Sequence, residues 1–189
     1  MKFEIEKTEL DGPLIVIPEV FRDDRGFFME VYRQDLFAQL GLPSQFVQLN
    51  HSRSSRNVVR GVHFQWDPPM GKLMRVIQGR AFLVAVDLRV ESPTLGRWVG
   101  VEMSSDEPRL LWAPASFGRG FCVLSETAEI EYLTTGVYNK AGESGIRWND
   151  SAIGIEWPVS EPLLSAKDDQ AQTLAEWLAR PEAQNFRYR

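Results

Sequence analysis

The sequence predicts an all-β fold, a sandwich or barrel with short helices at its periphery. Three observations carry that reading. Between residues 81 and 89, Phe82, Val84, Val86 and Leu88 alternate with Asp87 and Arg89 on the opposite face, the period-two pattern of a half-buried strand. Eight further short apolar runs are spaced along the chain and separated by turn signals such as Gln78-Gly79, Ser92-Pro93 and Leu95-Gly96, as expected of many strands joined by tight connections. Helical spacing is confined to two short stretches.

In chain order, the strand-like runs are 14–20, 27–32, 46–50, 73–77, 81–89, 98–103, 110–113, 121–124 and 130–134. The run around His63 also reads as extended. Asp35 is placed to cap a helix through Leu36, Phe37 and Leu40, ended by Gly41 and Pro43. Leu174, Trp177 and Leu178 define a second helix over 173–179, stopped by Pro181. The tail after Leu178 reads as loosely ordered. No repeat, linker or low-complexity segment interrupts the chain, so residues 1–189 are expected to form one domain.

Composition narrows the function classes. Hydrophobic residues at 43% and charged residues at 25% are ordinary globular values. A net charge of -5 argues against non-specific nucleic-acid binding. No apolar run is long enough to span a bilayer. The single cysteine, Cys122, excludes an internal disulfide framework and suits a reducing compartment. Acids stand among the first six residues where a signal peptide needs an apolar stretch. A cytoplasmic location is expected.

His63 is the residue most suggestive of chemistry. It is one of 2 histidines, and imidazole exchanges protons near neutral pH. Lys72 follows nine positions later. A packed core histidine and a catalytic base both satisfy the pattern at this point. A metal site needs several ligands, yet the position two after His63 is Gln65 and the other histidine, His51, forms no His-x-His pair. No metal is expected. Alternation in 129–134 places Ile130, Tyr132 and Thr134 on one face. If that face is interior, a phenol enters the cavity as a proton donor; a packed tyrosine is the plain alternative. Lys167-Asp168-Asp169 offers a carboxylate to orient an imidazole, or a helix start with Asp169 as N-cap. The run 22–30 combines arginines, aromatics and an acid, a set suited to a nucleotide or simply to a charged turn.

Many ordered runs resemble the dTDP-4-dehydrorhamnose 3,5-epimerases, the sugar-nucleotide epimerase branch of the cupin fold. They include Asp24-Arg25-Gly26-Phe27-Phe28-Met29-Glu30, Gln48-Leu49-Asn50-His51-Ser52, Arg60-Gly61-Val62-His63-Phe64-Gln65, Lys72-Leu73-Met74-Arg75-Val76, Trp148-Asn149-Asp150 and Ser165-Ala166-Lys167-Asp168. The likeness spans roughly residues 12–178. It implies a cupin-type jelly-roll barrel and a homodimer in which an N-terminal strand crosses to the partner. It also implies proton transfer on a nucleotide-linked 4-keto-6-deoxyhexose, with neither metal nor nicotinamide cofactor. His63 is implied as base, Asp168 as its orienting carboxylate, Lys72 as the charge that stabilises the enolate, and Tyr132 as acid. Arg60 and Lys167 are implied as phosphate and substrate contacts, Tyr138 and Glu143 as further substrate contacts. Arg25, Phe28, Glu30, Gln48 and Asn50 resemble nucleotide contacts. One departure stands out: many members carry histidine where this chain has Arg119, a substitution that favours phosphate binding, a different substrate, or epimerisation at one carbon only. A non-catalytic sugar-nucleotide binder and a metal-dependent cupin enzyme are the alternatives from other classes.

In a straight strand Arg60 and His63 would face opposite ways. A bulge at Gly61 is expected to bring both to one site.

Overall fold

In the computed structural model, which describes residues 1–188, the alternating segments pair as strands. In chain order these are β1 (Phe3–Lys7), β2 (Leu14–Pro18), β3 (Val20–Asp23), β4 (Gly26–Met29), β5 (Gln48–Ser55), β6 (Val59–Gln65), β7 (Lys72–Gln78), β8 (Arg80–Asp87), β9 (Trp98–Ser104), β10 (Leu110–Ala113), β11 (Phe117–Val123), β12 (Thr127–Thr134) and β13 (Glu143–Gly145). Helices are few and short: α1 (Gln34–Gln39), α2 (Ala166–Asp169), α3 (Leu174–Leu178) and a 3-10 turn over Pro181–Phe186. None is long and apolar enough to cross a membrane among the described residues.

Two antiparallel sheets face each other, as a jelly roll requires. One has the order β1-β2-β10-β7-β12-β5, the other β13-β6-β11-β8-β9, and β3-β4 forms a separate hairpin. Their facing sides bury a core that includes Met74, Leu83, Leu111, Phe121 and Ile130.

Several boundaries differ from the sequence reading. β1 and β13 went unread because each is short and is defined by its partner. The run 14–20 divides at Pro18 into β2 and β3. The run 27–32 ends as a strand at Met29, and the Tyr32 hydroxyl instead donates to the Ser44 carbonyl at 2.7 Å. β8 is not half-buried. It lies between β11 and β9, and its second face meets Val62, Phe64 and the C-terminal segment. Asp87, on the opposite face with Leu83 and Ala85, is fully buried and bonds Arg89, Ser92 and Thr94.

The helix caps also shift. α1 is preceded by Arg33, which makes no side-chain cap, and Asp35 sits inside its first turn. Ser165, not Asp169, caps α2. The second helix matches expectation, with a Thr173–Glu176 capping box. The tail beyond it is packed, not loose: Ala183 and Phe186 are fully buried, and Phe186 stands 5.6 Å from Phe64 between ring centroids. β1 pairs with β2 of its own chain. On the β3-β4 hairpin Phe27 and Phe28 are exposed.

Candidate active site

A cavity of about 290 Å³ opens between the sheets, lined among others by His63, Lys72 and Tyr132. His63 comes from β6 of the five-stranded sheet; Lys72 and Tyr132 come from β7 and β12 of the six-stranded sheet. The imidazole and the phenol therefore approach from opposite walls.

The bulge expected at Gly61 is present. Arg119 pairs with His63 and Phe121 with Arg60, so β6 carries one residue more than β11 over this stretch. Gly61 has φ of +136°, and a Cβ there would meet the Gly120 backbone at 2.6 Å; only glycine suits it. Because opposed residues share a face, the extra residue sets Arg60 and His63 on the same side.

His63 Nε2 is hydrogen-bonded to Asp168 Oδ1. The carboxylate is 5% exposed and the imidazole 30%. Asp168 therefore orients the ring, and Asp169 points outward. Ser165 Oγ accepts the Asp168 amide at 3.1 Å and donates to Asp168 Oδ2 at 2.8 Å, so one hydroxyl caps α2 and locks the carboxylate. Burial opposes the Asp168 charge, but the bonds from His63 and Ser165 outweigh it and hold the carboxyl below its usual range. With Nε2 donating to that carboxylate, Nδ1 keeps the free lone pair.

Lys72 Nζ stands 4.8 Å over the Tyr132 ring. Burial, and then the Arg119 charge, bring its ammonium down to about 7. Burial raises the Tyr132 phenol above its usual value, against the pull of Arg60 and Arg119. Alternation along β12 holds: Ile130 and Thr134 are buried with Tyr132 between them.

Arg119 is 2% exposed and donates to the Pro114 and Phe117 carbonyls. Its Nε and Nη2 have no partner among the described residues. Burial brings it down to about 9, so it remains a cation at neutral pH, buried in the barrel within electrostatic reach of Lys72 and Tyr132. That placement puts its charge toward Tyr132 and Lys72 rather than on the surface.

Gln48, Asn50, Tyr138 and Glu143 line the same cavity. Glu143 Oε1 accepts the Tyr138 hydroxyl at 2.6 Å and Lys167 Nζ at 2.7 Å. Burial opposes the Glu143 charge, yet those two bonds keep its carboxyl low; the same contact raises the Tyr138 phenol. Arg60 is exposed, does not line the cavity, and bonds Ser54 Oγ at 3.0 Å through Nε. Arg25, Phe28 and Glu30 are not brought to this cavity within the chain. Arg25 pairs with Asp23, Phe28 is 60% exposed and Glu30 faces Arg33. His51 is bonded to Glu129 at 2.8 Å, away from His63. Two residues of the site escaped the sequence reading. Ser165 was detectable as a Ser-x-x-Asp cap; Gln65 was weighed only as a missing metal ligand.

Comparison with known proteins gives a consistent result. The family model described as dTDP-4-dehydrorhamnose 3,5-epimerase matches residues 7–176. The Shigella flexneri dTDP-4-dehydrorhamnose 3,5-epimerase is 51% identical over 88% of this chain and 93% of its own length. The solved dTDP-6-deoxy-D-glucose-3,5-epimerase of Legionella pneumophila, in complex with dTDP-4-keto-L-rhamnose, superposes with a TM-score of 0.93 at 40% identity and covers 99% of both chains. A 3'-monoepimerase from Streptomyces bikiniensis, in complex with dTDP-quinovose, gives 0.86 at 33% identity, covering 90% of this chain and 88% of that one.

Proposed function

This chain belongs to the dTDP-4-dehydrorhamnose 3,5-epimerase family, and from that premise we propose how its residues carry the reaction. The protein is an isomerase that converts dTDP-4-dehydro-6-deoxy-D-glucose to dTDP-4-dehydro-L-rhamnose. The observation that carries the mechanism is the base and the acid on opposite walls of one cavity.

The sugar's 4-keto group acidifies the hydrogens on C3 and C5. His63 Nδ1 takes a proton from one of these carbons. The electron pair of the broken C–H bond moves to form a carbon–carbon double bond, and the carbonyl pair moves onto oxygen as an enolate. Protonated Lys72 stabilises that oxygen by its charge. The imidazolium is in turn stabilised by Asp168. Tyr132 then donates its hydroxyl proton to the opposite face of the carbon while the enolate collapses to the ketone, and the centre is inverted. His63 loses its proton to solvent and the Tyr132 phenolate regains one, so the site resets for the second carbon. No redox change occurs, and no cofactor or metal ion takes part in these steps.

Tyr138 and Glu143 contact the sugar, with Gln48 and Asn50 beside them. Arg60 and Lys167 serve the diphosphate. Arg25, Phe28 and Glu30 reach a nucleotide in the site of a second copy, which makes the working unit a homodimer; the exposed Phe27 and Phe28 of the hairpin and Leu49 on the β5 edge favour such contact. The chain acts as one domain in the cytoplasm.

The test is proton exchange in deuterated water with dTDP-4-dehydro-6-deoxy-D-glucose. Label is expected at both C3 and C5, with the rhamno product formed. Label at one carbon alone limits the enzyme to a single inversion, and label at neither makes the protein a binder.

A further inference from the structure

Gln65 lies on the cavity wall and is 2% exposed. A buried primary amide is costly unless its donors and acceptor are engaged. All are engaged here. Nε2 donates to the carbonyls of Pro68 at 3.0 Å and Val137 at 3.1 Å, and Oε1 accepts the Asn139 amide at 2.8 Å. One side chain thus joins the segment after β6 to the loop 135–142 that follows β12. Asn139 Nδ2 reinforces the junction by donating to the Asp67 carbonyl at 2.9 Å, and the Trp66 amide by donating to Gly142 at 2.8 Å.

The residue between the two gripped backbone groups is Tyr138. Its ring is 51% exposed at the cavity, and its hydroxyl reaches Glu143. Its amide donates to Gln48 Oε1 at 2.9 Å. Tyr138 has no hydrophobic core seat, so its backbone sets where the ring stands, and Gln65 grips that backbone on both sides.

We propose that Gln65 is the positioning residue that holds Tyr138 over the cavity and thereby sets the fit of the sugar, a role that rests on the epimerase reading above. The function demands a carboxamide. Two donors and one acceptor are needed at once, leucine offers neither, and an ionised glutamate cannot donate to two carbonyls.

Two measurements test this, and the first is independent of epimerisation. By hydrogen exchange, Gln65→Leu is expected to speed exchange across residues 137–142 at least tenfold, the Asn139 amide first, while β8 and β11 stay protected. Should the leucine variant not fold, Gln65→Glu at neutral pH is expected to do the same. Unchanged loop exchange in a folded variant overturns the proposal. The second measurement is kinetic. Gln65→Leu is expected to raise KM about tenfold, the scale of one net buried hydrogen bond, with kcat changed less. Tyr138→Ala should raise KM comparably, and the double variant should be no worse than Tyr138→Ala within about twofold, because the two residues act as a unit. Effects that multiply in the double variant overturn the role through Tyr138. A wild-type protein without epimerase activity sinks the functional reading alone, and the loop exchange then still decides the clamp.

Discussion

The wall that carries His63 and the wall that carries Tyr132 and Lys72 reach one cavity by different constructions. Behind His63, β6 turns Phe64 outward into a sealed layer of Trp177 and Phe186, all 2% exposed or less. Its orienting carboxylate arrives from 105 residues away, on α2. Behind Tyr132 the cover is partial: Leu73 and Leu133 pack with Phe37 and Trp112, while Leu49 is 57% exposed and the outer face carries an Arg75–Glu131 ion pair at 2.7 Å. Tyr132 and Lys72 owe their places to ladder register, Tyr132 beside Met74 and Thr134 beside Lys72. His63 is therefore held by tertiary packing and Tyr132 by strand pairing. In the proposed mechanism the wall that must stabilise a charged imidazolium thus has the deeper support, because a misaimed His63 would remove the first step.

The contrast can be broken first at the reacting groups. His63→Ala is expected to cut exchange at both carbons by about 10³-fold or more, the scale of a lost general base, with thermal unfolding unchanged. Retained exchange would remove His63 as the base. Tyr132→Phe is expected to slow inversion more than deuterium wash-in, by about 10²-fold; equal loss of both argues against the acid role.

The next effect lies one layer back and separates the walls more sharply. Asp168→Asn is expected to lower kcat by about 10-fold to 100-fold, with KM little moved, because the imidazolium loses its countercharge. Ser165→Ala should show the same direction at smaller size. Asp168 also links to stability. Its folded pKa is depressed, so its contribution is present above the unfolded carboxyl value and is lost as pH falls through the folded one. Asp168→Asn should therefore flatten part of the acid limb of a Tm-against-pH curve. A wild-type-like limb would show that the pair does not stabilise the fold.

The smallest effect sharpens the acid wall. In the proposed mechanism Lys72 must be protonated to stabilise the enolate, and burial with the Arg119 charge brings it down to about 7. The kcat/KM profile should fall on the alkaline side near there. Arg119→Gln removes a like charge, which favours the protonated amine, so that limb should move to higher pH. A limb that stays in place would uncouple Arg119 from Lys72. Arg119→His should alter sugar preference by a few fold at most.

Much of the fold and of the site is legible in the sequence. Alternation in 129–134 put Ile130, Tyr132 and Thr134 on one face, and the runs around His63, Lys72 and Asp168 carried the family resemblance that pointed to the chemistry. The β8 reading failed because period two reports one buried face, and a strand covered on both sides hides its second partner. The tail failed for the related reason that Phe186 is ordered by Phe64, more than a hundred residues earlier.

The sequence by itself determined which residue types were present and how each faced along its own strand, since side-chain direction follows from a period of two. Tertiary structure alone decided that Asp168 and not Asp169 meets His63, that the bulge at Gly61 turns Arg60 to the same side, and that Arg119 is buried rather than exposed. Each of those depends on the pairing of segments far apart in the chain. Local propensity carries no information about such pairs, because the free energy that selects them comes from burying one segment against another.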